Sequence, residues 1–189
     1  MFGQAYERAP NSQSTKDYGE LKRWLSGGTP PQTVIDFTFD ADSLRQTSPH
    51  QRAVYRGVMA LILRHEARDF HTDKKITANM MLEEKIDDHH VFPQKYLADS
   101  RPDVSATLRD CVLNRTLIDK LTNIHISKRA PSDYLAEIGA AITDAKLDKL
   151  IRSHLLTSTP DSPLMRDDFD EFVTQRQALI AQRIAEVTR

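Results

Sequence analysis

The stretch that most constrains this chain runs from Pro49 to Ala67. Val54, Tyr55, Val58, Met59, Leu61, Ile62 and Leu63 set apolar side chains around most of a helix's circumference. A helix of that kind belongs in a core, so the remaining segments must pack around it. Ser48 suits its N-cap and Pro49 its first position, where a missing N–H does no harm. Of the 189 residues, 39% are apolar, enough for one real core. Charged residues at 28% and a mean hydropathy of −0.53 require a highly charged surface. The length fits a single domain, or one domain with a small appendage.

The segments around this helix alternate between clear and weak signals. Residues 1–14 are polar and aperiodic and read as a flexible N-terminal segment, which leaves 15–189 as one helical domain. Thr15 suits the cap of a helix from Lys16 to Ser26 with Leu21, Trp24 and Leu25 on one face. Gly27-Gly28 and Pro30-Pro31 then stop it. Val34 to Phe39 alternates apolar and polar residues and suggests a short extended segment. Asp40 or Asp42 suits the cap of a single turn through Leu44. In the centre, Ile86 and Val91-Phe92 bracket Asp87-Asp88-His89-His90, while Cys111-Val112-Leu113 and Thr116-Leu117-Ile118 bracket Asn114-Arg115. Two short strands fit this pattern, with a helical turn from Pro93 to Leu97 between them. Asp119 then caps a short helix carrying Leu121, Asn123 and Ile124. Helices are expected over Pro131–Ala141, Asp144–Leu155 and Asp167–Val187, the last two separated by a breaker at Thr157–Pro163. The expected fold class is mainly α with a small β-hairpin.

Charge and cysteine content exclude several functions. Lys+Arg 26 against Asp+Glu 27 gives a net charge of −1, so a strongly basic coat for nucleic acid is excluded and a polyanion site must be local. The one cysteine, Cys111, excludes a disulfide framework and a zinc site built on cysteine pairs. It reads as a small buried apolar residue. No apolar run approaches the roughly 20 residues that span a bilayer, and no signal pattern opens the chain. The expected location is the reducing cytoplasm.

The chemistry-bearing residues lie between 86 and 129. Successive side chains of a regular strand point to opposite faces, so a bend is needed for His89 and His90 to act at one site, and Pro93 marks the strand's end. Imidazole is the natural general base near neutral pH. A second imidazole and an amide oxygen can hold a divalent ion while leaving positions for water and phosphate. The other histidines, His50, His65, His71 and His154, read as surface or core residues, and His125 as structural.

The ordered set His89-His90-Val91-Phe92-Pro93, Asn114-Arg115-Thr116-Leu117 and Asn123 resembles the HNH (His-Asn-His) family of ββα-metal nucleases. Asn114 and Asn123 are nine residues apart, as in the HNH domains of CRISPR effector nucleases. Ala67-Arg68-Asp69-Phe70 and the Ala130-Pro131-Ser132-Asp133-Tyr134-Leu135 helix start are further similar to the nuclease half of GmrSD-like modification-dependent restriction enzymes. The likeness covers roughly residues 15–156. It implies a ββα-metal motif at about 86–129 embedded in a helical domain. It implies a metal-dependent DNA endonuclease within a prokaryotic restriction or anti-phage system. His90, three residues before Pro93, takes the place of the general base. His89 and Asn123 take those of the metal ligands, and Asn114 and Asp88 support them from behind. The ion is Mg²⁺ or Mn²⁺, with Ni²⁺, Co²⁺ and Zn²⁺ also suited to His and Asn donors, and Mn²⁺, Ni²⁺ or Co²⁺ expected to serve at least as well as Mg²⁺. Zn²⁺ is expected to bind tightly and turn over poorly.

Nearby cations expected to grip DNA phosphates are Lys95, Arg115, Lys128 and Arg129. From Lys85 to Arg129 there are eight Lys or Arg against six Asp or Glu, too small an excess to hold DNA tightly at physiological salt. The larger family members carry an N-terminal nucleotide-dependent sensor domain. Neither its Gly-Gln-Gln-Arg-type motif nor a Walker-type loop occurs here. The expected partners are therefore DNA, modified DNA included, a sensor or NTPase domain outside these residues, and a second copy in a homodimer, with no membrane. Two rival readings remain. One is a catalytically silent HNH-like module that binds nucleic acid or protein. The other is a hydrolase with a His-rich zinc site, for which His125 is the obvious third ligand.

Overall fold

The computed structural model describes residues 10–36, 38–83 and 85–188, with side chains from residue 18 onward. Among these residues, ten α-helices and two 3-10 turns surround one two-stranded antiparallel sheet. The protein is thus mainly α with a small β-hairpin.

Helix α1 (Pro10–Leu25) begins six residues before the expected start, so residues 10–14 are helical. The rest of the expected flexible segment, 1–9, lies outside the described residues. Gly27 ends α1 with φ 91°, and the Gly28 N–H reaches the Arg23 carbonyl at 2.9 Å while Gly27 reaches Trp24 at 2.9 Å. That pair of bonds is a Schellman stop. A Cβ on Gly28 would meet the Arg23 carbonyl oxygen at 2.8 Å, so glycine is required there. The expected extended segment after it is instead a single helical turn, α2 (Gln32–Ile35), with Phe37 outside the described residues. A strand needs a partner for its backbone groups, whereas this turn closes its own bonds, Val34 N to Pro31 O at 2.9 Å and Asp36 N to Gln32 O at 2.8 Å. A 3-10 turn (Ala41–Arg45) follows, capped by Asp40, whose carboxylate accepts from the Asp42 amide.

The central helix α3 (Arg52–Arg64) starts three residues later than Pro49. The Gln51 side chain folds back to accept from the Ser48 amide at 2.7 Å and its hydroxyl at 2.9 Å, which spends Ser48 on a turn instead of a cap. Val54, Tyr55, Val58, Met59 and Ile62 are its buried stripe, while Leu61 and Leu63 are half-buried. After α4 (Ala78–Leu82), strand β1 (Ile86–His90) pairs with β2 (Arg115–Asp119) in the register Ile86 with Asp119 through His90 with Arg115. Between the strands lie α5 (Gln94–Ser100), α6 (Ala106–Arg109) and a second 3-10 turn (Val112–Asn114). The expected second strand therefore loses Cys111–Asn114, which leave the sheet in that turn.

Helix α7 (Lys120–Ile126) follows β2 directly, and Asp119 caps it by accepting from the Leu121 amide at 2.8 Å. It packs on both strands. Helices α8 (Pro131–Ala141), α9 (Asp144–Ser153) and α10 (Phe169–Thr188) complete the chain. Phe169 and Phe172 of α10 press their rings on Phe92, just beyond β1. Arg176 of α10, 1% exposed, donates to the carbonyls of Leu113 at 2.8 Å and His154 at 3.2 Å. Burial holds its guanidinium down to about 10. No helix among the described residues is long and apolar enough to cross a membrane.

Candidate functional site

Strand β1 remains regular through His90, so His89 and His90 face opposite sides of the hairpin and the expected bend is absent. Each histidine has its own set of partners.

On the α7 side, His89 Nδ1 donates to Asn123 Oδ1 at 2.8 Å. The Asn123 amide is aimed by Asp87, two residues back on the same strand face, which accepts from Nδ2 at 3.0 Å. Phe70 and Tyr134 stand edge-on to the His89 ring, which is 2% exposed. Burial pulls the His89 imidazole down to about 4, so it is neutral across the physiological range. Two ligands on a cis edge of an octahedral site with bonds of about 2.1 Å lie about 3 Å apart. The 2.8 Å between a neutral imidazole nitrogen and an amide oxygen therefore fits one edge of a divalent-ion site. Asn123 is half-buried, which leaves solvent access on its side. His89 Nε2 is buried with no hydrogen-bond partner among the described residues. The ring thus lacks the support that ligating histidines usually receive at their second nitrogen.

On the other face, His90 Nε2 lies 3.1 Å from Asp110 Oδ1 and 3.0 Å from Gln94 Nε2, and Gln94 donates to the same Asp110 oxygen at 2.6 Å. Arg115, opposite His90 in the sheet, donates to Asp110 Oδ1 at 2.6 Å and to Asp88 Oδ2 at 2.9 Å. Tyr55 of α3 donates its hydroxyl to Asp88. Burial lowers the His90 imidazole, and the Arg115 charge adds to that shift. Burial pushes the Asp110 carboxyl up, but the bonds from Arg115 and His90 outweigh it and leave Asp110 below its ordinary value. With Nε2–H directed at Asp110, Nδ1 of a neutral His90 carries the free lone pair.

Asn114, fully buried, joins the two strand ends. Its Oδ1 accepts from the Phe92 amide at 2.8 Å, and its Nδ2 donates to the carbonyls of Phe92 at 2.9 Å and Arg109 at 2.8 Å. That clamp sets the chain just after His90 and just before Asp110.

The expected phosphate-gripping cations fare unevenly. Arg115, with 11% of its side chain exposed, is committed to two carboxylates, so its expected role on DNA is corrected to an internal ion pair. Arg129, partly exposed, binds Glu137 and the carbonyls of Ile126 and His125 and closes the end of α7. Lys95 is exposed and paired one turn along α5 with Asp99, an exchangeable surface contact. Lys128 is exposed, with no ion pair among the described residues. Asp88 lies behind Arg115, as the partner of Tyr55. Gln94 and Asp110 are the contributors that sequence reasoning missed as site residues. Asp110 offers no local signal, since only the path of the 91–114 excursion brings it to His90.

No family model and no solved structure matches this chain. It is 29% identical, over 213 aligned positions, to Uncharacterized protein MJ0686 of Methanocaldococcus jannaschii. That alignment covers 99% of this chain and 35% of the archaeal protein. The chain spans about a third of its relative's length.

Proposed function

We propose that this chain is a metal-dependent endonuclease domain of the HNH type that hydrolyses DNA phosphodiester bonds in a cytoplasmic, modification-dependent restriction system. The observation that carries the reading is the 2.8 Å approach of His89 Nδ1 and Asn123 Oδ1, with His90 next on the same strand and backed by Asp110. His89 and Asn123 would hold the ion, with Asp87 fixing which face of the Asn123 amide is presented. When bound there, a divalent cation would supply positive charge against the negative charge that builds up during phosphodiester hydrolysis. His90 accepts a proton from water at Nδ1, and Asp110 stabilises the imidazolium that results. The water oxygen bonds to phosphorus as the 3′-oxygen departs and takes a proton from solvent, leaving 5′-phosphate and 3′-hydroxyl ends. Lys95 and Lys128 are the exposed cations left to meet the backbone. Target choice, any modified base included, belongs to a sensor domain or partner, because so small a local charge excess gives weak binding.

The reading requires His90 and the His89–Asn123 pair to meet one phosphodiester across the strand end at Val91. The opposite facing of the two histidines is the specific observation favouring the second reading, a catalytically silent nucleic-acid-binding or interaction module. Supercoiled-plasmid cleavage separates them. The nuclease reading expects nicking or linearisation with Mn²⁺ or Mg²⁺, none with EDTA and nicking at least about a hundredfold slower by His90→Ala. Absence of cleavage under every metal condition supports the silent module.

A further inference from the structure

Three side chains that the nuclease reading leaves unused converge on a separate surface. They are His71 from the loop after Phe70, His125 from α7 and Glu137 from α8. One ligand atom from each lies within 4.8 Å of the other two. His125 Nε2 is 2.7 Å from Glu137 Oε1, and the His71 and His125 rings stack with centroids 4.8 Å apart. We propose that His71, His125 and Glu137 form a binding site for a Zn²⁺-class transition-metal ion, distinct from the His89–Asn123 pair.

Two imidazoles and a carboxylate are a borderline donor set that suits Zn²⁺, Co²⁺ and Ni²⁺ better than Mg²⁺ or Ca²⁺. Tetrahedral ligation at about 2.0–2.1 Å places ligand atoms about 3.4 Å apart. All three side chains are exposed and so free to adjust toward that spacing, with water in the fourth position.

The backbone that carries them is already fixed. Asp69 Oδ2 accepts from the His71 amide at 3.1 Å and from the Thr122 hydroxyl at 2.8 Å, which ties the loop and α7 to one buried atom. Arg129 binds the other Glu137 oxygen and also the His125 carbonyl at 3.1 Å, so it aims the carboxylate and leaves Oε1 for a ligand role. An ion here would clamp α7, the helix that carries Asn123, to α8 and to the loop.

The proposal stands independently of the nuclease reading, and its test reads metal alone. Chelator-stripped protein is titrated with Co²⁺ by visible absorption and with Zn²⁺ by calorimetry. Wild type is compared with the double variant His71→Ala/His125→Ala, with Glu137→Gln and with Asn123→Ala. The double variant is expected to lose one equivalent that Asn123→Ala keeps, and Glu137→Gln to bind it roughly tenfold more weakly or worse. If wild type binds one equivalent and the double variant none, this site stands, whether or not the His89–Asn123 pair takes an ion once DNA phosphate is present. Equal stoichiometry and affinity in wild type and the double variant, or no uptake by wild type, reduces the cluster to a surface ion-pair network and overturns the proposal. Circular dichroism confirms that each variant is folded.

Discussion

Which way an imidazole points decides what its replacement does. On the proposed nuclease reading His90→Ala removes the proton acceptor, so cleavage is expected to fall about 10²- to 10⁴-fold with the fold retained, measured as the initial nicking rate with Mn²⁺. Asp110→Asn keeps the shape but loses the charge that favours the imidazolium, and a loss of tenfold or more is expected. Because burial and Arg115 lower the His90 imidazole, it stays unprotonated to a lower pH than a free histidine does. The nicking rate is therefore expected to hold as pH falls through about 6.5, the ordinary imidazole value, and to drop only below it. In Asp110→Asn the imidazolium loses its stabilising partner, so the drop is expected at still lower pH. A pH–rate series on both proteins reads the difference.

At the level of elements, the site depends on two buried polar residues, Asn114 between the strand ends and Asp69 under α7, more than on its helices. Asp69, with no exposed surface, accepts from the amides of His71, Thr72 and Asp119 and from the hydroxyls of Thr72 and Thr122. Asp69→Ala strands all five donors, and a loss of about 2–4 kcal/mol is expected in urea unfolding, with faster hydrogen exchange at the Asp119 amide. Caps and periodicities with local causes were legible in the sequence. Asp119 opening α7 and the bounds Pro131–Ala141 follow from residues within one turn of each other. Ser48-Pro49 misled because Gln51 competes for the Ser48 amide, and Val34–Phe39 because alternation is no help to a strand without a neighbour. Asn114 and Asn123 could be read from spacing. The Asp110 partnership could not, because it is made by an excursion whose course no short-range pattern encodes.

Over the whole molecule, buried neutral histidines make acid the natural denaturant. Burial holds His89 at about 4 and His154 at about 3, whereas both return to about 6.5 when unfolded. The unfolded chain then binds more protons, so stability is complete above about pH 6.5 and is lost as pH falls below it. The slope is about 1.4 kcal/mol per pH unit for each histidine, and urea midpoints at pH 7 and pH 5 measure it. His154→Asn is expected to flatten that slope by about one histidine's share. The single tryptophan reports little of this, because Trp24 sits 36% exposed on α1 beside exposed Leu21 and Leu25. Its emission is expected to be red-shifted already in the native protein and to change little on unfolding. The route between β1 and β2 has a last consequence, for alignment of the hairpin. Twenty-four residues, Val91 to Asn114, join the strands, so no tight turn dictates which residue lies opposite which. A slide of one position would turn each imidazole to the opposite face, bringing residue 90 to the place of residue 89 beside Asn123 and residue 89 to the place of Asp88. Against such a slide stands the Asn114 carboxamide, which grips Phe92 at both backbone atoms, so one neutral side chain helps hold each histidine on its own face.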